Sequence, residues 1–459
     1  MSAQPVTTTT ARDPLPAPTN ARRVPSPGDA QVAIRPRSPA PEAAEARAPD
    51  ASVTLSSGGR LGLSALLAET AYAHPHRIAL IDPAGKQAWS GRRPITWTYA
   101  SATEIVARLA NGLRGWRLPR GARLGLSLAG GAESAIAYLA IEAAGYTPCL
   151  LSPSWSEDEI LAAVQSAGIA GVLCQAKAGT ATPAQTLCRV AARYFGLRYL
   201  AAFGPDVPDG VISLDGMALD GTGGAFAAEI SGGLVSFAGG DPSCPVHRSG
   251  DAILAAIAFH RTCLGIAQGD RILTLLPFGD LRALVTGLGT ALTCGASLET
   301  MPLFFAGPFA EALARPVPTH LVAPAGLEAN LAASRLPDGL RSLTLAHRAP
   351  CTFPIRRLRP GAANRILDVV AFDEVALLSG ERGVDDVART LADPDRAALP
   401  ESLIAIRSDE DGRLAFSGHA CRVTSLRRGE APADAGGSWR ETPFRATVQA
   451  GRAKAINAG

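Results

Sequence analysis

The sequence predicts an α/β fold: two stacked α/β subdomains with mostly parallel sheets, followed by a small β-rich unit. Three observations predict it. From Leu61 to about Leu399, short apolar runs alternate with stretches whose apolar residues recur every three or four positions, the pattern of βαβ units. Beyond Leu399 the helical periodicity stops and short strands predominate. The 459-residue chain, 47% hydrophobic and 19% charged, is long enough to bury two or three cores.

The first fifty or so residues are Pro, Ala, Thr and Arg with few large apolar side chains, so residues 1–55 are expected to be a disordered, solvated tail. A first α/β subdomain is expected over 56–230. Its elements are a helix from Leu63, the strands Ile78–Asp82 and Ile95–Tyr99, and the helix Ser101–Trp116 with Ile105, Leu109 and Leu113 on one face. The strand Arg123–Leu128, the Ala-rich helix Glu133–Gly145, the strand Tyr146–Leu151, the helix Glu157–Ala167 and the strand Ile169–Leu173 follow.

A second α/β subdomain is expected over 231–398. Its helices are Ala252–Leu264, Ala283–Leu292, Phe309–Leu313 and Leu327–Ala333; its strands are Asp270–Leu276, Ala296–Met301, His320–Ala323, Ser342–Leu345 and Ile366–Val370. The β-rich unit, 399–459, holds strands at Ser402–Arg407, Arg413–Ser417 and Thr447–Gln449.

Charge and composition exclude several classes. With 44 basic and 41 acidic residues, a net +3, no nucleic-acid partner is expected. No apolar run reaches membrane-spanning length and no secretory segment is evident, so a cytoplasmic protein without a membrane span is expected. The eight cysteines are scattered without CxxC or zinc-like spacing and read as reduced thiols. No GxxxxGK[ST], HExxH or GxSxG occurs, and Gly287-Leu288-Gly289 within a helical pattern reads as close helix packing. Cys244 beside His247 in a Pro-interrupted loop does not make a thiol–imidazole pair, and His260 on an apolar helix reads as a packed histidine.

An ordered series of short motifs resembles the adenylate-forming (AMP-dependent synthetase/ligase, acyl-CoA synthetase-like) superfamily. The series comprises His74-Pro75-His76-Arg77, Trp97-Thr98-Tyr99, Ala144-Gly145-Tyr146-Thr147-Pro148, Gly269-Asp270-Arg271, Leu276-Pro277-Phe278, Thr319-His320-Leu321 and Ala349-Pro350. The resemblance runs from about Leu61 to the C-terminus and implies the large N-terminal domain of acyl-CoA synthetases. It further implies binding of ATP or AMP with Mg2+, and a carboxylic acid or acyl ligand.

The motifs that carry chemistry in that superfamily are degenerate here. Where the family has a phosphate loop of the type TSGTTGxPKG, residues 234–249 read LVSFAGGDPSCPVHRS, keeping Gly239 and Gly240 but no lysine. His247 and Arg248 are the basic candidates left for phosphate. The run LDVVAFDE resembles YGxTE, so Glu374, with Asp373 beside it, is the candidate magnesium ligand; an acidic pair at a strand end is the alternative. Pro443-Phe444 in SWRETPFR stand where the family has the glycine and the ribose-binding aspartate, and Phe accepts no hydrogen bond. Gly451-Arg452 resembles the hinge motif, with Arg452 either reaching the ribose or lying on the surface. Ala349-Pro350 match the turn beside the nucleotide.

The resemblance also implies that the mobile C-terminal subdomain, with its adenylating lysine, is lacking. Losing several charge-stabilising groups from one site implies a rate loss of at least about 10⁴-fold. The expected function is that of a catalytically impaired homologue of a carboxylic acid:CoA ligase, binding a ligand or supporting a partner protein in an acyl or aryl biosynthetic pathway. The alternative is an active adenylating ligase with a rebuilt ATP site or a subdomain supplied in trans.

Overall fold

The computed structural model describes residues 62–224, 226, 233–334, 336–353, 358, 365–426 and 439–459. The expected tail, 1–55, lies outside them, as does Ser438.

Two eight-stranded sheets and one five-stranded sheet form the frame. Sheet A has the order Ala376–Glu381, Arg365–Phe372, Leu340–Arg348, Thr319–Pro324, Arg271–Thr274, Ser297–Thr300, Ile78–Ile81, Thr96–Thr98. Its six inner strands run parallel and its two edge strands antiparallel. Sheet B has the order Val423–Ser425, Pro245–Ser249, Gly233–Phe237, Thr147–Leu150, Arg123–Ser127, Ile169–Gln175, Tyr199–Phe203, Ile212–Ser213. From Gly233–Phe237 onward it is parallel. Sheet C is antiparallel and gathers Cys351–Thr352, Arg452–Ala458, Arg440–Gln449, Arg413–Ser417 and Ala405–Ser408.

Sheet membership does not follow chain order. Ile78–Ile81 and Thr96–Thr98, expected in the first subdomain, pair into sheet A, whereas Gly233–Phe237 and Pro245–Ser249 complete sheet B. The expected boundary at 230/231 lies outside the described residues, and the strands that flank it, Ile212–Ser213 and Gly233–Phe237, both belong to sheet B. Periodicity reports local geometry but not which sheet a strand joins.

The helix Ala132–Ala143 is buried at every position and packs in a core that takes residues from both large sheets. Five of its twelve residues are alanine, small enough for close approach on all sides, which is why its apolar pattern has no polar face. Its Glu142 is fully buried and accepts the Ser64 N–H at 2.6 Å, serving the N-terminus of the helix Leu63–Ala73.

Local signals account for other elements. Ser156 and Glu159 form a capping box that starts the helix Glu157–Ala167, and Gly168 ends it in the left-handed region at φ 61°. The Ser249 hydroxyl accepts the Ala252 N–H and so caps the helix Gly250–Thr262. The segment Leu281–Cys294 is helical with a π-helical stretch at Leu284–Gly289. A Cβ at Gly289 would lie 2.2 Å from Ile257 Cδ1, so the GxG there serves helix packing. Among the described residues no helix is long and apolar enough to cross a membrane.

Candidate functional site

Parallel α/β sheets present their strand ends to one side, and ligands bind there. Such ends converge here on a cavity of about 620 Å³. Sheet B contributes Leu150, Ser236 and Phe237; sheet A contributes Arg348 and the turn Asp373-Glu374 that follows Phe372; sheet C contributes Pro443 and Phe444. Gly239, Gly240, Ala349, Pro350 and Asp280 complete the polar wall.

The turn after Gly233–Phe237 is a short 3₁₀ turn, Ala238–Gly240, with Gly239 and Gly240 at φ 64° and 71°. These left-handed values favour glycine and let the backbone line the cavity without a Cβ. Asp373 also sits at positive φ, 50°, and its carboxylate accepts the Gly239 N–H.

Glu374 is buried; its Oε2 accepts the Ser236 hydroxyl at 2.7 Å and its Oε1 lies 3.8 Å from Arg348 Nη1. Burial pushes its carboxyl above the usual range, and Ser236, Arg348 and Arg248 offset this only in part. Arg348 also lies 3.5 Å from Asp280. Asp280 is already held by Arg282, whose Nε donates to both of its oxygens at 3.0 Å. Burial raises the Asp280 carboxyl, but the Arg282 hydrogen bonds outweigh that and hold it below the ordinary value.

The structure thus brings Gly239, Gly240, Ala349, Pro350, Asp373 and Glu374 together around one cavity. It does not bring His247, Arg248 or Arg452 there. His247 lies in the middle of an antiparallel strand, paired with Val235 and Thr424. The Arg248 side chain is buried and donates to the carbonyls of Ala420 and Glu374, tying sheet B to the Asp373-Glu374 turn from behind. Arg452 pairs with Asp386, the cap of the short helix Val387–Thr390. All three expectations placed a charge by sequence spacing, and strand register and ion pairing place it elsewhere.

The donor set does not suit a magnesium ion. One Glu374 oxygen is taken by Ser236, the other faces a guanidinium, and burial favours the neutral acid. A cation there would have to displace Arg348. Among the described residues no group of three or more His, Cys, Asp or Glu converges as a metal site.

Sequence reasoning missed Arg348, Asp280, Ser236 and Trp155. Arg348 directly precedes the recognised Ala349-Pro350, and Asp280 follows Pro277-Phe278, so proximity to those motifs was the available signal. The other isolated polar residues are structural. His260 is fully buried with Nδ1 3.0 Å from Ser379 Oγ, and Cys244 Sγ donates to Asp241 at 2.9 Å.

Residues 67–197 match the AMP-binding enzyme family. No curated protein sequence matches the chain. Apo MbtA from Mycobacterium smegmatis is 17% identical, over 87% of this chain and 75% of that one, with a TM-score of 0.63. The inhibitor-bound N-terminal domain of FACL13 from Mycobacterium tuberculosis is 17% identical over 86% of this chain and 99% of that one, TM-score 0.66. The o-succinylbenzoate CoA synthetase MenE from Bacillus subtilis, in complex with its acyl-adenylate intermediate, is 17% identical over 85% and 77%, TM-score 0.62. The fold of this chain is that of the large N-terminal domain of acyl-CoA synthetases, and its residues 67–197 match the AMP-binding enzyme family.

Proposed function

We propose that this chain binds a carboxylic acid in the cavity and does not adenylate it unaided, serving as a ligand-binding or accessory protein in an acyl or aryl biosynthetic pathway. One observation carries the reading: among the described residues lining the cavity, Arg348 is the sole cation, beside Asp280, Asp373 and Glu374. Arg282 holds Asp280 with its own hydrogen bonds, which leaves Arg348 beside Asp373 and a Glu374 carboxyl whose burial favours the neutral form. A single guanidinium suits one carboxylate, which it can grip with two parallel N–H donors. It does not suit a triphosphate, most of whose charges would be left unpaired beside Asp373 with no magnesium site to offset them.

Arg348 has room for such a ligand. Its contacts at 3.5 and 3.8 Å are longer than the roughly 2.7–2.9 Å of a charge-assisted hydrogen bond. Phe444, at the position expected for the ribose aspartate, gives the cavity an apolar wall there and no acceptor.

Calorimetric titration with MgATP, AMP and a panel of carboxylates, with pyrophosphate release followed in parallel, tests the reading. Acids should bind and no pyrophosphate should form. Micromolar MgATP binding that disappears in Glu374→Ala, together with pyrophosphate release, would instead establish a working ligase with a rebuilt site.

A further inference from the structure

The turn that leaves the strand Ser297–Thr300 of sheet A reads Met301-Pro302-Leu303-Phe304-Phe305 and runs straight into the helix Ala306–Leu313. From Met301 to Ala310 no residue carries a charge, a hydroxyl or an amide side chain. Phe304 and Phe305 nonetheless stand 55% and 44% exposed at its tip.

Folding accounts for one of the two. Phe304 precedes the N-cap of the helix, and its ring lies 5.3 Å from that of Phe309 in the first turn, a hydrophobic staple that fixes the entry of the chain. Phe305 has no such duty. It is the N-cap itself, where Ser, Thr, Asp or Asn would bond a free amide of the first turn, and it makes no side-chain cap. A phenyl group that leaves the helix uncapped and also faces water is explained by a partner outside the chain.

The surroundings give the chemistry of that partner. A Cβ on Gly85 would lie 3.5 Å from Pro308, the Gly179 N–H donates to the Trp89 carbonyl at 2.7 Å, and Ala178 lines one apolar cavity with Pro302 and Leu303. The segments next to the aromatic turn carry Lys177 and Arg93, both exposed and, among the described residues, in no ion pair. A protein interface carries roughly one hydrogen bond per 100–200 Å², and this turn offers no side-chain donor or acceptor for one. A lipid interface asks only for aromatic and aliphatic area with cations on its flank.

We propose that this turn is a peripheral contact with an anionic bilayer. Phe304 and Phe305 enter the boundary between headgroups and acyl chains, and Lys177 and Arg93 face the lipid phosphates. Among the described residues no helix can cross a membrane, so the chain lies on the surface through a loop.

Flotation of the full chain with vesicles of phosphatidylcholine, with and without phosphatidylglycerol, tests this. The protein should float with the anionic vesicles, and less so at high salt or on the neutral ones. Phe305→Ser installs a preferred N-cap, so its urea midpoint should hold or rise while its vesicle affinity falls by about tenfold. Phe305→Trp should keep the affinity, since indole suits the same interface. Lys177→Gln and Arg93→Gln should each lower affinity for anionic vesicles by about fivefold and leave the neutral ones unaffected. No flotation with anionic vesicles, or an unchanged affinity in Phe305→Ser, overturns the proposal. So does a dimer in sedimentation that Phe305→Ser splits, which would make the turn a contact between two copies.

Discussion

The Asp373 carboxylate accepts a hydrogen bond from the Gly239 backbone N–H, so the glycine turn of sheet B is tied to the strand end of sheet A. An N–H that would point at a phosphate is thereby occupied by a fixed anion of the protein. Asp373→Asn keeps an oxygen acceptor for Gly239 and removes the charge. Its AMP affinity should rise by about tenfold, because a like charge facing the phosphate is lost in a partly desolvated site. Calorimetry on both proteins checks this, and equal affinities would mean that Asp373 does not face the nucleotide.

Arg348→Met keeps much of the volume of the arginine and removes its donors. Asp280 retains Arg282, so the substituted protein should fold. Affinity for a simple aryl carboxylate should drop by about ten- to a hundredfold, the loss of one charge-assisted contact. Binding of a neutral analogue such as the corresponding amide should change little. A parallel loss for acid and amide would point to a packing role instead.

Legibility differed between fold and site for a physical reason. Strand and helix identity depends on neighbours along the chain, and Glu157–Ala167 was readable to the residue because a capping box and a left-handed glycine punctuate it. Sheet membership depends on non-local pairing, and nothing near Ile78 says that it joins Leu298. In the site, backbone-defined parts were legible: the glycine turn, Ala349-Pro350 and the acidic pair. Arg248 and Arg348 look alike in sequence, yet one is spent on carbonyls beneath the site and the other lines it. The buried Lys86, bonded to Asp82 and Glu133, gave no sequence signal either, because its partners lie on two separate elements.

Gly289 marks the closest approach of the π-containing helix to the helix Gly250–Thr262. A methyl group there would meet Ile257 Cδ1 at 2.2 Å and Cγ1 at 2.7 Å. Gly289→Ala should destabilise the protein by about 1–3 kcal/mol through overpacking. Adding Ile257→Val should recover part of that loss, since the two side chains compete for one space. Urea denaturation of the single and double variants measures the coupling; strictly additive effects would show that the contact is not the cause.

His260 supplies a pH dependence whose sign can be worked out. Full burial lowers its pKa from 6.5 to about 3, so the folded protein keeps the ring neutral, with Nδ1 shared with Ser379. The unfolded chain takes up a proton near the ordinary value of 6.5 and the native state does not. This contribution to stability is therefore complete above that pH and is lost as pH falls toward about 3, at about 1.4 kcal/mol per pH unit. Buried Glu142 and Glu374 act in the opposite sense, since burial raises their carboxyl pKa values and favours the folded state at lower pH. Comparing the protein with His260→Gln cancels those terms. The stability difference between the two should narrow as pH is lowered from 7.5 to 5, read from urea midpoints at each pH. A difference that stays constant over that range would mean that the native ring titrates with its ordinary pKa of 6.5, so that burial beside Ser379 does not hold it neutral.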